Sequence, residues 1–492
     1  MEFFGTATWR SFRDAYFISV GSALRKSALR PRAISPIGNS LTTGEQAMGG
    51  PRIGSMTLSI ALIAGAGVDA RADQILFWNQ EIQTLEALTP APTPMASGRD
   101  LSIMNVAIYD AVNAALGSPG KSFYPAGPVT PGSSAAAAAD AAAYNFLVQR
   151  FAGQSAQITA AYNSQLALLP NDQATANGLA LGQNQAAIAA AARASDGSSS
   201  PGHFTPGIGP GQWQPTPPLH LPYFTANWAS VTPFTMTSPS EFLPPGPPAL
   251  NSPAYAAAVA ELHSIGAANS TTRTLDQTKA AEFWDSDNGV PLTWNNIALQ
   301  VAATRNDSLL HNALTFALLS TAQTDSFIAT FNSKSFYAFW RPVTAINSTI
   351  DPNWVPLLAA PPFPSYAANH AAVPETGAMI LDAMFGTDNA DFSLTFDTDN
   401  SSAALLGNPT FGDITRDYTS FQEAAMETGM SRMWGGIHWP FDIQDGFTLG
   451  DDVALNALNE FNVPEPASIL LLGSGLIGLA ALRRRARDCR PR

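Results

Sequence analysis

The residues best suited to chemistry lie in one stretch, Ser431-Arg-Met-Trp-Gly-Gly-Ile-His-Trp-Pro-Phe-Asp442, which holds an arginine, a glycine pair, a histidine and an aspartate in twelve positions. His438 and Asp442 are four residues apart, the spacing that puts two side chains on one helical face. A carboxylate so placed holds one imidazole nitrogen and leaves the other free to act. Pro440 suits the first turn of a helix. His438 is therefore expected at or just before a helix N-terminus, where backbone N–H groups favour an anion. Arg432 adds a fixed cation with a planar fork of donors. The stretch reads as an oxyanion site with a positioned histidine.

Two earlier segments offer the remaining parts. Lys334-Ser-Phe-Tyr-Ala-Phe-Trp-Arg341-Pro342 carries two cations seven residues apart, about two helical turns, so they are expected to share a face. Burying both without an anion is costly; the alternative is a snorkelling lysine beside an ordinary arginine. Further on, Pro361-Pro-Phe-Pro-Ser-Tyr-Ala-Ala-Asn-His370 is a rigid Pro-rich turn that delivers a histidine to an Ala-rich helix. Asp307 and His311 repeat the four-residue spacing, but no cation cluster accompanies them and a local surface pair is expected. His203 and His220 fall in a Pro/Gly-rich segment and are expected to be incidental.

The elements that must position these groups read as helices. Arg99–Ala114 has apolar positions at helical spacing with no internal Pro or Gly. After a Gly/Pro/Ser loop at about 116–133, Ala-rich helices are expected at 134–152, 155–169 and 173–194, since alanine is the best helix former. Their low complexity points to tight helix packing. Residues 196–252 are rich in Pro, Gly and aromatics and long for a structureless loop, so this connection is expected to pack over the helices. Helical patterns resume at 253–265, 273–284, 293–304, 306–332 and 420–430. No alternation runs long enough to suggest a sheet, and no repeat or P-loop occurs. The fold class is all-α, a helical bundle with a long Pro/Gly-rich connection.

Charge narrows the partners. The chain of 492 residues has a net charge of −13, but fourteen of its twenty-five Lys and Arg lie in 1–72 and 483–492. The middle, 73–482, carries eleven cations against thirty-three acids. Such a surface repels nucleic acid and anionic membranes. The one cysteine, Cys489, is in the extreme tail, so the globular part has no disulfide, zinc–thiolate or thiol chemistry.

Both ends read as addresses. The short apolar run 56–68 follows Arg52 and precedes Ala70-Arg71-Ala72, the pattern of a removed secretory signal; a buried core helix is the alternative. Residues 1–72 are thus an export signal with an uncertain upstream segment, and 73–462 the mature helical domain. The tail 463–492 reads Val463-Pro-Glu-Pro-Ala467, an apolar run to Leu482 and Arg483-Arg484-Arg485. It resembles the PEP-CTERM sorting signal, which implies a short transmembrane helix with cytoplasmic arginines and processing by an exosortase-type protease. A plain membrane anchor is the alternative. The resemblance implies export from a Gram-negative bacterium, with transient inner-membrane anchoring before the periplasm, cell surface or extracellular matrix. Membrane contact would run only through this tail.

Taken together, Lys334-x6-Arg341-Pro342, the turn ending at His370, and Ser431-Arg432-x3-Gly436-x-His438-x3-Asp442 resemble the three-part signature of the vanadium haloperoxidase and PAP2 phosphatase superfamily. Phe339-Trp-Arg-Pro-Val-Thr-Ala-Ile346 and Pro361-Pro-Phe-Pro364 are similar to its bacterial haloperoxidase-like branch. The resemblance implies that Lys334, Arg341 and Arg432 clamp the oxygens of vanadate or phosphate, with Asn369, through its backbone N–H, and Gly436 as further oxyanion-binding positions. It implies His438 as vanadium ligand in a haloperoxidase or nucleophile in a phosphatase, Asp442 as the group fixing its tautomer, and His370 as acid–base residue. The implied substrates are hydrogen peroxide and halide with vanadate as cofactor, or a phosphate ester with no cofactor; a non-catalytic surface or biofilm-matrix protein is a third alternative. One departure stands out. The family reads Pro-Ser-Gly-His where this chain has Ala367-Ala368-Asn369-His370. Ala368 lacks the serine hydroxyl, a loss of roughly 1.5–3 kcal/mol for a bond to a charged group, or about ten- to a hundred-fold in affinity.

Overall fold

Helix starts follow from the polar residues that precede them. A computed structural model describes residues 73–463 apart from 90–92, 224 and 288. The helices are α1 (Gln74–Ala87), α2 (Pro94–Ala115), α3 (Ala135–Arg150), α4 (Ser155–Leu166), α5 (Gln173–Ala192), α6 (Pro253–Ile265), α7 (Leu275–Phe283), α8 (Val290–Ala302), α9 (Leu309–Tyr337), α10 (Pro342–Thr349), α11 (Asn369–Phe385), α12 (Phe421–Trp434) and α13 (Pro440–Glu460). Asp73, Thr93, Ser134, Asp172, Ser252, Thr274, Ser308 and Ser420 each accept a hydrogen bond from the first turn they precede, satisfying donors that have no partner inside the helix. Helices α4 and α8 have no side-chain cap, and neither do α10 and α11, which begin after Arg341 and Ala368.

The low-complexity helices pack as closely as their composition suggests. A Cβ added to Gly182 of α5 would stand 2.1 Å from the Ala138 carbonyl of α3, so glycine and alanine let these two backbones touch. The main core gathers Trp78 and Ile82 of α1, Leu101 and Ile108 of α2, Trp294 of α8, Phe316 and Ile328 of α9 and Ile380 of α11. A second cluster, including Phe339, Trp340, Tyr366, Ala368, Trp439 and Phe447, surrounds the candidate site. The 196–252 connection packs over the helices as expected. Trp213, Tyr223, Trp228 and Val231 are buried, and Asp325, mid-way along α9, accepts from the N–H groups of Phe234, Thr235 and Met236.

Three expectations need correction. First, the helical fold class holds, but where no sheet was expected the described residues include one antiparallel hairpin, β1 (Asn389–Asp397) with β2 (Asp413–Ser420), pairing Phe392 with Tyr418 and Phe396 with Ile414. The buried alternation is only Phe392, Leu394 and Phe396, too short to stand out. It becomes a strand by packing on helices: Phe396 meets Phe283 with ring centroids 4.7 Å apart, and Phe392 stacks on Phe421. Second, Lys334 and Arg341 do not share a helical face. Helix α9 ends at Tyr337, Ala338 turns left-handed with φ 47°, and Arg341 is extended with φ −78° and ψ 154°. Pro342 explains the break, because its ring disfavours helical geometry in the preceding residue. Third, Asp307 pairs with Arg305 at 2.6 Å, not with His311.

The expected export signal and the expected transmembrane helix of the tail fall outside the described residues. No helix among the described residues is long and apolar enough to cross a membrane.

Candidate oxyanion site

His438 sits just before α13, with Trp439 as the residue preceding the helix and Pro440 at its first position. Its Nδ1–H donates to Asp442 Oδ2 at 2.9 Å, a tautomer that leaves Nε2 with its lone pair. Asp442 Oδ2 also accepts from the Trp439 N–H at 3.2 Å and from the Ser365 hydroxyl. Burial pushes the Asp442 carboxyl up to about 7, opposed by Ser365, Lys334, the Trp439 N–H and Arg341. Burial, then Arg341, Lys334 and Arg432, hold His438 well below the ordinary imidazole range. The ring is therefore neutral, and its free nitrogen faces cations.

Three cations converge there. Lys334, fully buried near the end of α9, donates through Nζ to the carbonyls of Ser365 at 2.7 Å and Ala367 at 2.6 Å. Arg341 donates through Nε to the Phe363 carbonyl at 2.9 Å, and its Nη1 reaches the Ile437 carbonyl at 2.8 Å and His438 Nε2 at 3.0 Å. Arg432, at the end of α12, donates through Nη1 to the Trp284 carbonyl at 3.1 Å and through Nη2 to Asp285 at 2.6 Å. The Phe363 ring lies 5.3 Å from Lys334 Nζ and 5.0 Å from Arg341 Cζ, a cation–π contact for each. Burial, then the charge of Arg341, pushes the Lys334 ammonium well below its ordinary value.

These bonds leave donors over. Arg341 Nη2 and Arg432 Nε are buried with no partner. An unsatisfied charged donor inside a protein costs at least as much as a lost hydrogen bond. Helix α11 adds to the demand. Its first N–H groups, at Asn369 and His370, have no side-chain cap and favour an anion by their dipole. The donor set thus fits a tetrahedral oxyanion, with guanidinium forks and helix N–H groups for its oxygens and a neutral imidazole beside them.

His370 occupies the first turn of α11, and burial, then Arg432, Lys334 and Arg341, keep it well below the usual imidazole range. Ala368 is fully buried, with its N–H on the Asp442 carbonyl at 2.9 Å, and offers no hydroxyl. Asn369 is buried and its Oδ1 has no partner. Gly436 precedes Ile437 and His438 in the turn between α12 and α13. Its N–H is committed to the Met433 carbonyl at 3.0 Å. Glycine is required there by φ +78° and by the Gly266 carbonyl, 2.4 Å from where a Cβ would be. That turn aims His438.

Of the residues singled out from the sequence, Lys334, Arg341, His370, Arg432, His438 and Asp442 lie together, whereas Asp307 pairs with Arg305 elsewhere. Sequence reasoning missed Asp285, which neutralises Arg432 across 147 residues, and Ser365, which serves Asp442. Ser402, in the connection between β1 and β2, donates its N–H to Asp285 Oδ2 at 2.7 Å, so the hairpin anchors the partner of Arg432. Phe283-Trp284-Asp285 carries no spacing signal that would have linked it to position 432.

Comparison with known proteins bears on the fold and on the tail. Residues 314–463 match the family described as VCPO second helical-bundle domain, and 462–485 match the PEP-CTERM protein-sorting motif. The vanadium chloroperoxidase of Curvularia inaequalis is 27% identical over 267 residues, 41% of this chain and 43% of that protein. The chain thus matches less than half the length of this relative. The crystal structure of a bacterial vanadium-dependent iodoperoxidase superposes with a TM-score of 0.65 at 25% identity, covering 79% of this chain and 95% of that one. A holo-type bacterial vanadium-dependent chloroperoxidase superposes with a TM-score of 0.58 at 16% identity, covering 75% and 92%. The helical domain has the vanadium haloperoxidase-like fold.

Proposed function

We propose, from this vanadium-haloperoxidase-like domain, that the chain is a vanadate-dependent haloperoxidase that oxidises halide with hydrogen peroxide. The observation that carries the proposal is the pair of partnerless buried guanidinium nitrogens, Arg341 Nη2 and Arg432 Nε, beside a neutral His438. Lys334, Arg341 and Arg432 would hold the oxygens of vanadate, and His438 Nε2 would offer it a nitrogen lone pair. When bound, vanadate supplies a Lewis-acidic centre that activates peroxide toward a halide nucleophile.

The protein's own part is positioning and proton traffic. Asp442 accepts the Nδ1–H of His438 and so keeps the Nε2 lone pair available. Arg341 Nη1, which donates to that nitrogen at 3.0 Å, must give up this bond when an oxyanion takes the position. His370, neutral among three cations, accepts a proton from peroxide and returns it to the departing oxygen. An anion in the cage offsets the cations that depress His370 and raises its basicity when it is needed. Asp285 and the Trp284 carbonyl hold Arg432 in one orientation, which limits the reorganisation that binding requires.

The same donors suit phosphate, with His438 Nε2 as nucleophile. Ala368 favours a further alternative, a site that binds an oxyanion with little turnover. We place the working domain at 73–462, between an export segment and a PEP-CTERM tail handled by an exosortase-type protease, in a protein exported by a Gram-negative bacterium. The test is a paired assay on that mature domain. Vanadate-loaded protein is assayed for peroxide-dependent bromide and iodide oxidation, and vanadate-free protein for aryl phosphate hydrolysis. Halide oxidation alone is expected; hydrolysis alone selects the phosphatase, and silence in both selects the binding protein.

A further inference from the structure

We propose that Ser365 is a positioning residue of the oxyanion cage, its hydroxyl fixing Asp442 behind His438 while its carbonyl fixes Lys334. Ser365 lies in the Pro-rich turn and is fully buried. Its three polar groups are all used. The N–H donates to the Phe339 carbonyl at 2.9 Å, the carbonyl accepts from Lys334 Nζ at 2.7 Å, and the hydroxyl donates to Asp442 Oδ2.

Asp442 is held asymmetrically. Oδ2 takes His438 Nδ1–H at 2.9 Å, Trp439 N–H at 3.2 Å and the Ser365 hydroxyl, whereas Oδ1 is buried with no partner. Rotation about the terminal carboxylate torsion is soft and two-fold, so the orientation depends on the donors that converge on Oδ2. Two of them belong to the chain entering α13 itself. Ser365 alone among the three comes from another segment, 77 residues away. It therefore ties the orientation of His438 to the turn whose Ser365 carbonyl holds Lys334 and which leads to Ala368 and His370. The serine hydroxyl missing at 368 is not replaced by Ser365, whose Oγ faces Asp442; the two positions have different tasks.

This inference rests on the oxyanion reading for its effect on binding, but not for its effect on His438. The test therefore uses two measurements on the full chain. Proton NMR follows the buried Nδ1–H of His438, assigned by its loss in His438→Gln. Calorimetric titration with orthovanadate follows affinity in the wild type, Ser365→Ala, Asp442→Asn and the double variant. Ser365→Ala is expected to shift the Nδ1–H resonance and to weaken vanadate roughly tenfold, the scale of one hydrogen bond to a charged group. In the Asp442→Asn background the same change is expected to have little further effect, because coupled residues are not additive. An unmoved resonance, or an equal loss in both backgrounds, overturns the proposal. If the wild type binds no vanadate, the functional reading fails, and the resonance alone decides the role of Ser365.

Discussion

Ala368→Ser restores one donor to the cage, and its consequences can be worked out from the backbone. Ala368 precedes α11 with φ −80° and ψ 121°, close to φ −71° and ψ 120° at Ser134, which caps α3 through its hydroxyl. A serine at 368 thus needs no backbone adjustment. Without an oxyanion, its hydroxyl caps the first turn of α11, a gain of about 0.5–2 kcal/mol in stability. With an oxyanion present, the hydroxyl donates to it, a gain of about 1.5–3 kcal/mol, or roughly ten- to a hundred-fold in affinity. Part of the capping bond is given up in the exchange, so the lower end, about tenfold, is expected. The assay is calorimetric titration of both proteins with orthovanadate and with phosphate, alongside thermal melts without ligand. A higher Tm with unchanged affinity for both anions would refute the reasoning, because the hydroxyl would then fit as a cap while the oxyanion lies elsewhere.

Two further perturbations probe the frame. Burial, then Asp100, pushes Glu86 up to about 7. A carboxyl raised above its unfolded value of about 4.3 is protonated more readily in the folded chain, so stability falls as pH rises from about 4.3 to 7 and is level above. Glu86→Gln removes that cost and is expected to raise Tm by a few degrees at pH 8 but not at pH 4.5; equal shifts at both pH values would contradict this origin. Gly436→Ala places a side chain at φ +78° and 2.4 Å from the Gly266 carbonyl. The backbone alone costs about 1–2 kcal/mol, so a denaturant midpoint lowered by at least that much is expected, and an unchanged midpoint would show that the turn adapts freely.

The site was more legible in the sequence than the fold around it, for a physical reason. His438 and Asp442 are read correctly because four residues fix their relation locally and Pro440 marks the helix start. Arg341 and Lys334 were identified as cations of one place, but the assumed helix between them fails: Ala338 turns left-handed, and Pro342 holds the residue before it, Arg341, in an extended conformation. The link from Arg432 to Asp285 is a tertiary contact with no local signature. Ser365 sat inside a segment already singled out, yet only the folded chain brings its hydroxyl to Asp442. The hairpin escaped because three alternating apolar residues become a strand only against Phe283 and Phe421. The Ala-rich helices were evident from propensity, while their closeness depends on glycines such as Gly182 facing a neighbouring backbone.

The central claim is that Lys334, Arg341, Arg432 and His438 form one cage for a vanadate-shaped anion. Its most direct test is calorimetric titration of the purified chain with orthovanadate, wild type against His438→Ala. Saturable one-to-one binding by the wild type, weakened at least tenfold in the variant by loss of the imidazole nitrogen, is the expected result. Absence of binding in the wild type, or equal affinity in both proteins, would contradict it.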